Sequence, residues 1–143
     1  MGAGVACACV LAWFVALTVY DIRQRRLPNA LTLPGAVVVL AVAVVTGRGV
    51  PAIVGALALT LLYLGAHLVA PAGMGAGDVK LAVGVGALTG SFGADAWVLA
   101  ALGAPVLTVL WAVAVAFRGM DSTVPHGPSM CAAAAVAVAL VVF

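Results

Sequence analysis

Six apolar runs, separated by short polar breaks, constrain the fold of this chain more than any other feature. They extend over Ala3 to Tyr20, Leu31 to Thr46, Pro51 to Ala70, Val79 to Ala94, Ala96 to Phe117 and Pro128 to Phe143. Hydrophobic residues make up 66% of the chain and charged residues 7%, whereas soluble domains contain only roughly 45 to 50% apolar residues. Because strands with open edges leave backbone groups unsatisfied in lipid, each run is predicted to form a helix.

The resulting fold prediction is an all-α polytopic membrane protein with about six transmembrane helices. No polar stretch is long enough to fold separately, so residues 1–143 are predicted to form a single integral membrane domain. The second, fourth and sixth runs are shorter than the ~20 residues that cross a bilayer, and the fourth is compatible with a partial span. No basic segment precedes the first run, which favours a retained helix over a cleaved signal peptide.

The few basic residues indicate the orientation of the chain in the membrane. All but one lie at or beside the first, third and fifth connections between runs: Arg23, Arg25, Arg26, Lys80 and Arg118. The exception is Arg48. The positive-inside rule therefore predicts that these three connections face the cytoplasm and that both termini lie outside. Bases so few and so local do not form a nucleic-acid footprint, and the expected partners are lipid and peptide.

Two of the four acidic residues lie in the first and third connections between apolar runs. Asp21 follows the first run, and Asp78 precedes the fourth, after glycines at positions 73, 75 and 77. Two spans separate the acids, so parity places both on the same side of the membrane. The charge bias makes that side the cytoplasm.

The two acids are predicted to occupy unlike environments. Asp21 lies near the C-terminal end of the first predicted helix, where the macrodipole disfavours a carboxylate. Asp78 is expected as the N-cap of the fourth, where an anion is favoured. Two carboxyl groups brought together cannot readily both ionise, and one proton donor with one base can hydrolyse a bond through a shared water. The pair therefore suggests a two-carboxylate membrane protease.

Blander interpretations remain open for each acid. Asp78 is explained by helix capping alone, and Asp21 by charge balance with the arginines that follow it. A cap does not require three alternating glycines, however, and these allow positive φ and the close approach of an extended peptide. A small transporter or channel subunit is the alternative from another class, although it would need acids at membrane depth. A catalytically silent assembly subunit is a third possibility.

Two motifs in order resemble those of a known family. The segment 75–78, Gly-Ala-Gly-Asp, resembles the GxGD motif of GxGD aspartyl proteases, and it continues into Val-Lys-Leu at 79–81. The segment 21–29, with its D-x-R-x-x-R-L-P-N pattern, resembles the first motif of type IV prepilin peptidases. The segment 124–128 is more weakly similar to that family's last cytoplasmic segment.

The resemblance implies a specific reaction and set of residues. Its members remove the short basic leader of pilin-like precursors at the cytoplasmic face of the cell membrane, cutting after a glycine, with no metal or other cofactor. Asp21 and Asp78 carry over as the catalytic pair. The residues that carry over as substrate-binding or motif support are Gly75, Gly77, Lys80, Pro28 and Asn29. Larger members also N-methylate the new terminus through an added cysteine-containing domain. Residues 1–143 contain no such domain, so methyltransferase activity is not expected, and the small size resembles the minimal peptidases of Flp/Tad-type or archaeal preflagellin systems.

Other polar residues are given structural predictions. Lys80 is more consistent with an anchor at the membrane boundary than with substrate contact. His67 is predicted to be hydrogen-bonded at the membrane interface, and His126 to belong to loop structure. Asp95 and Asp121 are predicted to be loop charges, Asp95 on the face opposite the catalytic pair.

Small residues are predicted to serve packing. Gly86 and Gly90 form a GxxxG spacing that lets neighbouring backbones approach closely. The three cysteines, Cys7, Cys9 and Cys131, lack the spacing of a zinc site or a disulfide framework and are predicted to be apolar core thiols.

Overall fold

The computed structural model describes residues 2–120 and 123–143, and these residues form six α-helices and no strand. The helices are α1 Gly2–Gln24, α2 Asn29–Val45, α3 Gly49–Val69, α4 Ala76–Ser91, α5 Ala94–Phe117 and α6 Gly127–Val142. The predicted all-α class and each of the six predicted helices are confirmed. No helix end lies more than four residues from its predicted position.

Length and apolar character identify the chain as a membrane protein. Three of the described helices, α1, α3 and α5, are long and apolar enough to cross a membrane, and α2 and α6 are shorter apolar helices. The fourth helix, α4, has 16 residues and is therefore about 24 Å long, less than the ~30 Å of a hydrocarbon core. It is also the most extensively buried helix, and it packs against α2, α3, α5 and α6.

Glycines bring the backbones of α3 and α4 into direct contact. A methyl group on Gly90 would lie 2.6 Å from the carbonyl oxygen of Pro51 and 2.9 Å from the Cα atom of Gly55. A methyl group on Gly86 would lie 2.5 Å from the carbonyl oxygen of Gly55. Small residues are the usual means of such close approach between membrane helices. The packing role predicted for Gly86 and Gly90 is confirmed.

Two tryptophans fasten the outer helices to this centre. The Trp13 indole of α1 donates a hydrogen bond to the Leu31 carbonyl of α2 at 2.8 Å, and its ring lies where side chains on Gly35 and Gly84 would otherwise stand. The Trp97 indole of α5 donates to the Gly55 carbonyl of α3 at 3.0 Å. Each indole thus satisfies its single donor while its ring fills a space left by glycine.

The cysteine prediction is right for one residue and wrong for two. Cys131 is buried, whereas Cys7 and Cys9 are exposed. Residues 2–9 of α1 are all exposed, so this part of the helix has no neighbouring helix against which a thiol could be buried.

Gly86→Leu is expected to destabilise the fold, because its side chain has no space at the backbone of α3. Overpacking of this kind costs about 1 to 3 kcal/mol, and a lower midpoint of thermal unfolding in detergent would measure it. Gly65→Leu on α3 is the matched control, because a side chain at Gly65 meets no atom within 4 Å. Equal midpoints for the two variants would contradict the close contact.

Candidate active site at one end of the helix bundle

Three long-range hydrogen bonds gather the first, third and fifth connections at one end of the bundle. The Arg25 guanidinium donates to the Thr123 hydroxyl at 2.7 Å, and the Lys80 ammonium donates to the Asn29 side-chain oxygen at 2.9 Å. The backbone N–H of Gly127 donates to Oδ2 of Asp21 at 3.0 Å. Asp21, Asp78 and the start of α6 therefore share this end, as the parity of the spans predicts.

Asp21 lies in the last turn of α1, and only 7% of its surface is exposed. Its carboxylate occupies the start of α6, where the first N–H groups of the helix have no partner within the helix. One of these, the N–H of Gly127, is the donor to Asp21. The C-terminal end of α1 disfavours a carboxylate at Asp21, as expected from sequence, but the N-terminal end of α6 favours one.

Asp78 also lies in a buried position, but it is not an N-cap. The N-cap of α4 is Gly75, with φ −69° and ψ 144°, and the helix begins at Ala76. Asp78 is therefore the third residue of the first turn, and its N–H donates to the Gly75 carbonyl at 3.1 Å. The capping prediction was wrong because the helix starts three residues earlier than the apolar run. With 8% of its surface exposed, the Asp78 side chain faces the bundle interior.

The two carboxyl groups influence each other's ionisation. Burial first, and the charge of Asp21 second, raise the pKa of Asp78 to about 6, while the nearby Gly75 N–H opposes the rise. Asp78 lies in the first turn of α4, which is shorter than the helices long enough to cross a membrane. Because the pKa of Asp78 is raised in the folded protein, its contribution to the free energy of unfolding is complete below pH 3.8 and is lost as the pH rises through about 6.

The predicted asymmetry between the acids exists, but with the opposite sign. The rise in the pKa of Asp78 corresponds to about 3 kcal/mol in favour of the protonated form. A helix N-terminus favours the anion by only ~0.3 to 1 kcal/mol. Burial therefore outweighs the dipole, and Asp78 keeps its proton to a higher pH than a free carboxyl group does. Asp21, which accepts a backbone hydrogen bond, is the better site for the negative charge.

The glycines before Asp78 do not have the backbone conformation predicted for them. Positive φ occurs at Gly47, Gly93, Gly119 and Arg25, and not at positions 73, 75 or 77. Gly77 packs against the first connection, because a methyl group there would lie 3.1 Å from the Cβ atom of Leu27. A methyl group on Gly75 would lie 3.3 Å from Oδ2 of Asp78. These two glycines therefore fit the first turn of α4 against the first connection and the acid itself.

The remaining motif residues form a frame around the acids. Pro28 is the N-cap of α2, with φ −67° and ψ 135°, and its carbonyl accepts from the N–H groups of Leu31 and Thr32 at 3.0 and 3.1 Å. Lys80 is exposed and, through its hydrogen bond to Asn29, ties α4 to the start of α2. Among the described residues no ion pair joins Lys80 to an acid.

The sequence predicted the hydrogen bonding of His67 but not that of His126. His67 is hydrogen-bonded as predicted, with Nδ1 2.6 Å from the Met74 carbonyl oxygen. His126 does belong to the last connection, but it is partly buried and bonded on both ring nitrogens, to Tyr63 and Thr108. Neither partner was singled out from sequence, and nor was Gly127. The signal available was a glycine between His126 and Pro128 at a helix start, where a free N–H is expected.

Asp95 was predicted to be a loop charge, but it lies in the first turn of α5, which begins at Ala94. It is at the other end of α4 from Asp78, as predicted. Asp121 falls outside the described residues.

An apolar groove of about 530 Å³ runs along the bundle surface between α1, α5 and α6. On α1 it extends from Leu11 to Val19, so its last residue is two positions before Asp21. On α6 it begins at Pro128, directly after Gly127.

Comparison with known proteins agrees with this geometry. The family profile described as the type IV leader peptidase family matches residues 8–142. No significant match was found among curated proteins or among solved structures. The arrangement is that of a helical membrane protease with two buried acids at one end. Because the family match covers nearly the whole sequence, the chain belongs to the type IV leader peptidase family.

Asp21→Asn is expected to lower the pKa of Asp78 from about 6, because it removes the second cause of the rise and leaves burial in place. Titration of ¹³C-labelled aspartate carboxyl groups by NMR would measure the midpoint. Asp95→Asn, at the other end of α4, is the control and should leave that midpoint unchanged. The same Asp78 midpoint in wild type and Asp21→Asn would show that the two groups do not sense each other.

Proposed function

We propose that this protein is an aspartic endopeptidase that removes the short basic leader from type IV pilin-like precursors. In this proposal the cut follows a glycine at the cytoplasmic face of the cell membrane, and Asp21 and Asp78 are the catalytic pair. The observation that carries the proposal is the pair of buried carboxyl groups, from α1 and α4, at one end of the bundle, with the charge of Asp21 acting on Asp78. Membership of the leader peptidase family gives this pair a substrate class.

The unlike environments of the two acids assign them different steps. Ionised Asp21, held by the Gly127 N–H, accepts a proton from water as the water attacks the scissile carbonyl carbon. Protonated Asp78 donates its proton to the carbonyl oxygen, so that a neutral tetrahedral intermediate forms. The intermediate collapses when Asp21 passes its proton to the leaving nitrogen, the carbon–nitrogen bond breaks, and a hydroxyl group of the intermediate returns a proton to Asp78, which restores the starting state of the pair. The chemistry requires one proton shared between two acids, which is the state that their mutual repulsion favours.

The groove between α1, α5 and α6 supports a place for the rest of the substrate. The segment that follows the cleavage point in a pilin-like precursor is an apolar helix, and the groove is apolar and reaches Val19, two positions before Asp21. The carbonyl to be attacked would then meet the acids at the end of the groove. Residues 1–143 act as one unit in this proposal, since α1, α4 and α6 all contribute to the site.

A small transporter or channel subunit is less well supported. Acids that mark an ion path lie at membrane depth along it, whereas Asp21 and Asp78 lie at one end of the bundle and Asp95 lies at the other.

Asp21→Asn and Asp78→Asn are each expected to abolish leader removal, with a loss of at least about 10³-fold, because each replaces a proton-handling group by an isostere of equal volume. The measurement is the precursor-to-mature shift of a co-expressed pilin-like protein on a gel. Asp95→Asn is the control and should process the precursor like wild type. Substantial maturation by either of the first two variants would remove that residue from the pair.

Ala132→Phe is expected to raise KM for the precursor by about tenfold, because an aromatic ring fills part of the groove and displaces apolar contacts. Kinetics with a purified precursor in detergent would measure KM and kcat separately. Ala114→Phe on the exposed surface of α5, outside the groove, is the matched control. Equal KM values for the two variants would place the substrate helix elsewhere.

A further inference from the structure

His126 is held by a hydrogen bond on each of its ring nitrogens. Nε2 lies 2.8 Å from the Tyr63 hydroxyl of α3, and Nδ1 lies 2.6 Å from the Thr108 hydroxyl of α5. The Thr108 hydroxyl in turn lies 3.0 Å from the carbonyl oxygen of Ala104, to which it donates. The imidazole thus joins two helices that flank the start of α6.

These contacts fix the proton positions of a neutral histidine. Thr108 has one hydroxyl proton and uses it on the Ala104 carbonyl, so its oxygen accepts from the N–H at Nδ1 of His126. Nε2 is then unprotonated and accepts from the Tyr63 hydroxyl. Every donor and acceptor in this set is used once. Burial also lowers the pKa of His126, in agreement with the neutral form.

The next peptide unit carries the donor to Asp21. The carbonyl of His126 accepts from the N–H of Met130 at 3.1 Å and so begins α6. The N–H of Gly127, in the same peptide unit as that carbonyl, points to Oδ2 of Asp21 at 3.0 Å. Residue 127 must be small, because a methyl group there would lie 2.5 Å from that oxygen.

We propose that His126 is a positioning residue of the peptidase: clamped between Tyr63 and Thr108, it fixes the first peptide of α6 so that the Gly127 N–H holds the Asp21 carboxylate in place. This inference rests on the proposed function, because it gives Asp21 the role of the base. The side chain of His126 makes no hydrogen bond to either acid among the described residues. It acts through the backbone that follows it.

The consequence for catalysis concerns the charged form of Asp21. A hydrogen bond to an ionised group is stronger than one between neutral groups. If the hydrogen bonds that clamp His126 are broken, the Gly127 N–H no longer points to Asp21, and the Asp21 carboxylate loses its hydrogen-bond donor. We expect kcat to fall by about tenfold or more, with little change in KM, because the apolar groove is unaffected. The acid limb of the pH–rate profile should also move to higher pH, because the ionised carboxylate has lost stabilisation.

Thr108→Val and Thr108→Ser provide a matched pair of variants for the test. Valine keeps the shape of threonine and removes the hydroxyl, whereas serine keeps the hydroxyl and removes a methyl group. Thr108→Val should lower kcat and shift the acid limb, and Thr108→Ser should retain wild-type kcat and pH dependence. His126→Phe, which removes both hydrogen bonds, should lower kcat at least as far as Thr108→Val.

A second measurement follows the hydrogen bond itself and does not depend on activity. An amide bonded to a carboxylate has a downfield proton shift, so the Gly127 amide proton should move upfield in Thr108→Val and in Asp21→Asn but not in Thr108→Ser. Wild-type kcat and an unshifted Gly127 amide in Thr108→Val would overturn the inference and leave the proposed function standing. Absence of precursor cleavage by the wild-type protein would overturn the proposed function, and the amide shifts would still report on the clamp.

Discussion

The contact between the backbones of α3 and α4 is the constraint on which the rest of the structure depends. Apolar side chains gain little from leaving lipid for a helix interface, so membrane helices associate through close packing and hydrogen bonds. Gly55 meets Gly86 and Gly90 with no side chain between the two helices. This contact places α4 inside the bundle. Because α4 has only 16 residues, its first turn, which carries Asp78, is surrounded by the longer helices.

The position of α4 explains why the two acids differ. Asp78 enters the bundle on the inner helix and is surrounded by protein, so its charge is penalised by burial and by the second carboxylate. Asp21 lies at the end of an outer helix and contacts the start of α6, where its carboxylate accepts a hydrogen bond from the Gly127 N–H. In the proposed function, the acid with the raised pKa is the proton donor and the acid that accepts the backbone hydrogen bond is the base.

Hydropathy and span parity predicted much of this arrangement. The six apolar runs give the six helices because lipid permits no other open structure, and an even number of spans between Asp21 and Asp78 brings them to the same end. Features that depend on contacts distant in sequence were beyond a pattern of residues. Burial of Asp78 reversed the expected asymmetry, the start of α4 at Ala76 removed its capping role, and Gly77 proved to serve close packing against Leu27 and not positive φ.

The same limit explains the residues that the sequence did not reveal. His126 is 63 residues from Tyr63 and 18 from Thr108, and each of these partners looks like an ordinary polar residue within an apolar helix. Only the fold shows that they meet at one imidazole. Cys7 and Cys9 failed as core thiols for a related reason, because hydropathy does not tell which turns of a helix have neighbours.

The hydrogen bond between Asp21 and Gly127 also has a consequence for how the protein is made. The two residues are 106 positions apart, with Asp21 at the end of the first helix and Gly127 at the start of the last. Synthesis proceeds from the N-terminus, so Asp21 reaches the membrane long before its donor exists. A carboxylate without a partner is costly in an apolar interior and remains with water at the surface. The acid can settle into the bundle only when α6 arrives, so the insertion of the final helix completes the site, and a nascent chain that still lacks it is an incomplete peptidase.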